Sequence, residues 1–130
     1  MSLFNAGRAI LGGFFILAGT NKGLNIEATL DMMAGQSLPA WLLPAVIALE
    51  IGGGAIVALG RPARWLWVAA LALAAFTFAT NIVFHRFWEL EGVMHTLELS
   101  LFFKNLAIMG ALLMVAGHAA SSRSREHFQL

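Results

Sequence analysis

Residues 65–84 read WLWVAALALAAFTFATNIVF, and this stretch decides the fold class. It carries no charged side chain, and its hydroxyl and amide side chains are Thr77, Thr80 and Asn81. A run of roughly 20 apolar residues is long enough to cross the hydrocarbon core of a bilayer, roughly 30 Å thick, as a helix. A soluble helix of this length would carry a polar face at helical spacing, and this stretch has none. We therefore interpret it as a membrane-spanning helix.

Three further segments have the same apolar character. They are residues 3–22, 41–59 and 99–117. Each is close to the length that a membrane crossing requires, although each contains a charged residue. From the four segments we predict an all-α membrane protein, in which residues 1–118 form a bundle of four transmembrane helices and residues 119–130 form a flexible cytoplasmic tail.

The composition indicates that the solvent around the protein is lipid. Hydrophobic residues make up 59% of the chain and charged residues 12%, which is about half the charged share of a typical soluble domain. The net charge of +1 is too small to suggest nucleic-acid binding, and no lysine- or arginine-rich stretch offers a track for phosphates, so we predict no nucleic-acid partner. The chain has no cysteine, so disulfides, thiol redox chemistry and cysteine-ligated metals are excluded as well.

Tryptophan and basic residues predict the topology. The four tryptophans stand at segment ends, where indole rings favour the membrane interface. Most of the basic residues fall on the side that holds both termini and the turn around Pro62. They are Arg8, Arg61, Arg64, Arg123 and Arg125. The positive-inside rule therefore predicts that both termini are cytoplasmic and that residues 23–40 and 85–98 form the outer loops.

The charged residues within the segments are the main candidates for a functional site. Such charges are costly in lipid and usually face the protein interior. Glu50 lies near the midplane, and Arg8 and Lys104 lie about four residues to either side, or roughly 6 Å at 1.5 Å per residue. Small residues accompany all three at helical spacing, which favours positions inside the bundle. We predict that Glu50 is the buried counter-ion of Lys104, Arg8 or both, either to fix helix register or to form a functional polar pocket.

The stretch 84–88, Phe-His-Arg-Phe-Trp, lies at the predicted outer interface. It either anchors the third helix there or forms the rim of a pocket, with His85 available for proton exchange near neutral pH. His95 lies in the same predicted loop, but no ligand-spacing rule joins it to His85, so we predict no metal site. No nucleophile with a positioned base and acid is evident, so we predict no catalytic residue.

Five short motifs occur in order along the chain. They are Gly7-Arg8 and Asn21-Lys22 in the first segment, Leu49-Glu50-Ile51-Gly52-Gly53 in the second, Phe84-His85-Arg86-Phe87-Trp88 after the third and Lys104-Asn105-Leu106 in the fourth. Together they resemble the DoxX/DoxD-like family of small four-helix membrane proteins, over nearly the whole chain from about Gly7 to Gly117. The resemblance implies a multi-pass protein of the bacterial or archaeal cytoplasmic (inner) membrane. Some relatives are subunits of a quinone-linked thiosulfate-oxidising complex, and most have no assigned activity.

Three functions from different classes follow from these features. The first is a non-catalytic or accessory subunit of a quinone-linked redox complex, with the bilayer, other membrane subunits or further copies of the chain as partners. The second is a binder of a quinone or lipid in a polar intramembrane pocket, and the third is a small-solute transporter or oligomeric channel. No cofactor is established by the residues, and a quinone is the one candidate. The residues predicted to line the buried polar cluster or ligand site are Arg8, Lys22, Glu50, Asn81, His85, Trp88, Lys104 and Asn105.

Overall fold

The computed structural model describes residues 1–128. It contains four helices that are long and apolar enough to cross a membrane, which confirms the predicted fold class. We call them the first to fourth membrane helices: Leu3–Leu24, Leu42–Leu59, Ala63–Phe84 and Gly92–His127. A linking helix, Ile26–Gly35, joins the first to the second, and a 3-10 turn, Phe87–Glu89, joins the third to the fourth. The part of the chain that the structure describes contains no strand.

The fourth membrane helix is longer than the predicted segment at both ends. It begins at Gly92 rather than Leu99 and continues past Gly117 to His127. The hydropathy pattern marks where the chain leaves the hydrocarbon, whereas a helix ends where a residue breaks it, and residues 118–127 contain neither glycine nor proline. Most of the predicted flexible tail, residues 119–130, is therefore helical, and residues 129 and 130 lie outside the described range.

Local signals explain the other helix boundaries. The Ser2 hydroxyl accepts a hydrogen bond from the backbone nitrogen of Asn5 at 3.2 Å and caps the first helix. The second helix ends at Gly60, whose φ of 67° lies in the left-handed region that glycine adopts without steric strain. Pro62 follows, and the third helix begins directly after it.

The second membrane helix contains an irregular turn at its centre. Residues Leu42–Ala48 and Gly54–Leu59 are α-helical, and Leu49–Gly53 between them form a π-helical turn. Such turns are rare and recur at functional sites. This one contains Glu50, the only charged residue of that helix.

The four membrane helices pack in chain order. The first lies against the second, the second against the third, and the third against the fourth along most of its length. The first and fourth meet where the Phe4 ring lies 4.2 Å from the His118 ring. We call this end of the bundle, with the turn at Gly60, the terminal end, and the opposite end, with the linking helix and the 3-10 turn, the loop end.

The interior changes character between the two ends. The apolar core lies in the half nearer the terminal end. Its buried residues are Phe15, Val57, Leu66, Ala69, Ala70, Leu73, Ala74, Leu112, Val115 and Ala116. Nearer the middle and the loop end, the apolar Met33 and Leu43 are buried as well, and so are the polar side chains of Glu50, Thr77 and Asn81. The buried side chains that can form polar contacts or ion pairs are therefore concentrated from the middle of the bundle to the loop end.

Candidate functional site

Glu50 is paired with Lys22. The Nζ atom of Lys22 donates a hydrogen bond to Oε1 of Glu50 at 2.9 Å and lies 2.8 Å from Oε2. The glutamate side chain is only 4% exposed and the lysine side chain 29% exposed. Oε2 is buried and accepts no hydrogen bond from the described residues, so the ion contact with Lys22 is its sole compensation there.

The predicted partners of Glu50, Lys104 and Arg8, are wrong. The first and second helices run antiparallel, so Gly19 lies beside Glu50 and Gly12 lies beside Gly54. This register puts Lys22 about one turn nearer the loop end than Glu50, within reach of its side chain. Depth estimated along each helix alone did not reveal which of several lysines and arginines faces the carboxylate.

Gly19 allows the first helix to approach the ion pair closely. A Cβ atom at this position would lie 3.0 Å from the Cβ of Glu50 and 2.8 Å from Cγ1 of Ile51. Any larger side chain would therefore push the first helix away from the π-helical turn. Gly12, Phe15 and Gly19 lie in line with Lys22 at helical spacing, and all three are buried. This face of the first helix lies against the second helix.

Arg8 caps the second helix at the terminal end. Its Nη1 donates to the carbonyl oxygen of Val57 at 2.9 Å, and its Nη2 donates to Oδ1 of Asn5 at 3.4 Å. The carbonyl of Val57 belongs to the last turn of its helix, where carbonyls lack helical partners and favour a positive charge. Arg8 thus stabilises a helix end, and it is separated from Glu50 along the bundle.

Lys104 lies on the outward face of the fourth helix. It is exposed, as are Ser100 and Ala107 beside it, and it makes no hydrogen bond or ion pair within residues 1–128. The prediction that its stripe of small residues faces the bundle interior is therefore wrong. Small residues indicate that a helix surface can receive another helix, but they do not identify that helix.

Asn81 and Asn105 join the third and fourth helices near the loop end. Asn81 is 1% exposed; its Nδ2 donates to the carbonyl oxygen of Phe102 at 3.1 Å. Its Oδ1 accepts from Nδ2 of Asn105 at 3.2 Å. This satisfied polar pair holds the two helices in one register, because a shift by one residue would leave both amides unpaired.

His85 is paired with Glu98, a contact that the sequence did not reveal. Its Nδ1 lies 2.6 Å from Oε2 of Glu98, and both side chains are about one fifth exposed. Glu98 is the last residue of the predicted outer loop 85–98, but in the structure it belongs to the first turns of the fourth helix, level with the end of the third. The sequence offers one signal for this pair: both residues lie close to the connection between two consecutive antiparallel helices.

Aromatic and basic residues surround this pair at the loop end. Trp88 is 51% exposed, and its ring lies 6.1 Å from that of Phe102. Arg86 donates to Oε1 of Gln36 at 2.9 Å and thereby links the third helix to the end of the linking helix. His95 faces the carbonyl oxygen of Phe87 rather than His85, and no group of residues able to hold a metal occurs within the described chain.

The eight predicted residues therefore occupy separate places rather than one pocket. Lys22 and Glu50 form an ion pair between the first and second helices, with Glu50 near the middle of the bundle and Lys22 nearer the loop end. Asn81, Asn105, His85 and Trp88 lie at the loop-end junction of the third and fourth helices. Arg8 lies at the terminal end, and Lys104 lies on the outer surface.

An apolar groove of about 620 Å³ runs along the outward flank of the second helix. It extends from the linking helix, at Ile26 and Leu30, to the π-helical turn, at Ile51 and Gly52. Ala40, Leu43, Pro44, Ile47 and Ala48 complete its lining. Because the side chains that line it are hydrocarbon, the groove has the chemistry to hold an acyl or isoprenoid chain.

Comparison with known proteins agrees with this architecture. The chain is 36% identical over 109 residues to the Escherichia coli inner membrane protein YqjF, a match that covers 84% of this chain and 78% of the relative. It is 30% identical over 104 residues to the Escherichia coli inner membrane protein YphA, covering 78% and 72%. No solved structure matches it significantly. The DoxX family profile matches residues 3–86, which include the first three membrane helices and the Lys22–Glu50 pair, and the chain therefore belongs to the DoxX family.

Proposed function

We propose that this protein is a non-catalytic subunit of an assembly in the bacterial inner membrane, and that it meets its partner through the outward face of the fourth helix. The location is supported by the two related inner membrane proteins and by the four apolar helices. The family resemblance suggests a quinone-linked redox complex as the assembly. The concentration of arginine at the terminal end supports an orientation with both termini in the cytoplasm.

The position of Lys104 carries this proposal. A charged side chain on a membrane helix normally faces the protein interior or a water-filled cavity, because its transfer into lipid costs about 3 kcal/mol or more. Lys104 instead lies on a surface with large exposed apolar side chains such as Phe103 and Met114. A partner that covers this face would shield Lys104 from lipid and bury it between two proteins.

Small residues on the same face support contact with another helix. Ala107 is exposed, and a Cβ added at Gly110 would meet no atom within 4 Å, so packing inside this chain does not require glycine there. In lipid, helices associate through small residues that let their backbones approach closely. The outward face of the fourth helix thus has the shape of a helix-binding surface.

A bulky substitution on this face is expected to release the partner. Ala107→Trp should reduce the amount of protein partner that co-purifies in mild detergent by about tenfold, because the indole ring prevents close helix approach. The matched control is Ala75→Trp, at an exposed alanine of the third helix at a comparable depth, which should leave the yield unchanged. Helical content and thermal stability of both variants should match the parent. Equal recovery of the partner with both variants, or no stoichiometric partner of the parent protein, would contradict the proposal.

A second candidate function is binding of a quinone or lipid, and the groove along the second helix favours it. The groove suits a hydrocarbon tail, and its inner end lies at Ile51, next in the chain to Glu50. Filling the groove by Ala48→Trp is expected to remove most of the bound ligand from the purified protein, measured as retention of a long-chain quinone analogue and as phospholipid adducts in native mass spectra. Ala45→Trp is the control, because Ala45 is exposed on the same helix but does not line the groove. Equal ligand retention by the two variants would eliminate this function for the groove.

A further inference from the structure

We infer that the partner of the fourth helix is a transmembrane helix of a different protein, with a carboxylate at the depth of Lys104. This inference rests on the proposed function and adds the chemistry and origin of the partner. Four observations support it. Lys104 lies at membrane depth, the carboxylates of this chain nearest to that depth are already paired, the unpaired exposed carboxylates lie at the loop end, and small residues lie beside Lys104.

Lys104 lies well below the loop end of the bundle. It is six residues after Glu98 in a continuous helix, or roughly 9 Å deeper at 1.5 Å per residue. It follows that Lys104 is level with Asn105 and Asn81, which are within the third and fourth helices. Helical side chains lean toward the helix N-terminus, here the loop end, so the ammonium group lies somewhat nearer the interface than the Cα atom. A partner carboxylate is therefore expected within the same two turns.

The carboxylates nearest in depth within this chain are already engaged. Glu50 is held by Lys22, and Glu98 is held by His85. Both face the interior side of their helices, whereas Lys104 faces outward. No described carboxylate at this depth is available to Lys104, so we place its counter-charge on another molecule.

A second copy of the chain does not supply this carboxylate. Copies inserted in the same orientation place their equivalent residues at equal depths, so a symmetric contact of fourth helices would bring lysine toward lysine. The described carboxylates that are exposed and free of ion pairs are Glu27 and Asp31 on the linking helix and Glu91 before the fourth helix. All three lie at the loop end, whereas Lys104 lies deeper in the bundle.

The neighbours of Lys104 favour a helix over a lipid phosphate. A lysine that extends to a headgroup needs no particular residues around it. Here Ser100 and Ala107 lie about one turn before and after Lys104 on the exposed face. This spacing leaves a shallow seat in which a second helix can approach the ammonium group closely.

A unique cysteine provides the first part of the test. The chain has no native cysteine, so Ser100→Cys gives one thiol beside Lys104 to which a maleimide–diazirine crosslinker can be attached in native membranes. The crosslinked peptide is then sequenced. Capture of a protein is not sufficient; support requires a transmembrane segment of another protein with an aspartate or glutamate within about two turns of the crosslink.

Charge variants of Lys104 provide the second part. We expect Lys104→Met to lower co-purification of that protein by about tenfold, Lys104→Arg to retain it, and Lys104→Glu to lower it further. Replacing the partner's acidic residue by lysine should restore binding to Lys104→Glu. Retention of the partner by Lys104→Met, adducts with a second copy, phospholipid adducts alone, or a crosslinked segment without an acidic residue would each overturn the inference. If Ala107→Trp still releases the partner while Lys104→Met retains it, only this inference fails. If no partner co-purifies with the parent protein, the proposed function fails as well.

Discussion

Replacement of Lys22 by methionine is expected to lower the free energy of unfolding by about 3 kcal/mol, because it leaves the buried carboxylate of Glu50 without its ion-pair partner. Glu50→Gln is expected to have a smaller effect, of about 1 kcal/mol. The glutamine amide can still accept a hydrogen bond from Lys22, and the lysine is already partly exposed near the loop end. Removing the lysine should therefore cost more stability than removing the charge of the glutamate.

The double variant Lys22→Met with Glu50→Gln should be more stable than Lys22→Met alone, since it removes the uncompensated charge. Unfolding in mixed micelles with increasing denaturing detergent gives the four free energies of this cycle. Lys104→Met is the matched control, because this lysine makes no ion pair within residues 1–128 of the isolated chain. Additive effects of the two single changes would show that Lys22 and Glu50 are not coupled.

Gly12→Ala is expected to destabilise the bundle by about 3 kcal/mol, the upper part of the range for overpacking. A Cβ atom at Gly12 would overlap the backbone nitrogen of Ala58 and the carbonyl oxygen of Gly54. Both obstacles belong to the main chain of the second helix, so no side chain can rotate to relieve the overlap. The first and second helices would have to separate, which would also weaken the Lys22–Glu50 contact further along the same interface.

The neighbouring glycine provides the control. A Cβ at Gly13 would meet no atom within 4 Å, so Gly13→Ala should keep the structure and increase stability by about 0.5 kcal/mol through the better helix propensity of alanine. The same unfolding measurement compares the two variants. A similar loss of stability at both positions would contradict the close approach of the helices at Gly12.

Two of the residues with sequence-predicted roles illustrate what the pattern could and could not predict. Glu50 was identified from its charge in an apolar segment, and it is buried as predicted, because a carboxylate is costly in lipid. Lys104 was identified by the same reasoning and is exposed. Its orientation depends on which face of the fourth helix meets the rest of the bundle. That face carries the buried Leu112, Val115 and Ala116 and the Asn81–Asn105 pair, and Lys104 lies outside it.

The sequence by itself determined that lipid surrounds the helices, how many helices span the membrane and which residues are unusual at membrane depth. Those properties depend on hydropathy and on segment length, which are local quantities. Only the tertiary structure decided that Glu50 pairs with Lys22, that His85 pairs with Glu98 and that Arg8 caps a helix end. These contacts join residues of different helices, and they depend on the register at which two helices meet. Contacts at Gly12 and Gly19 set the register of the first and second helices, and the Asn81–Asn105 pair holds that of the third and fourth. Hydropathy encodes neither register.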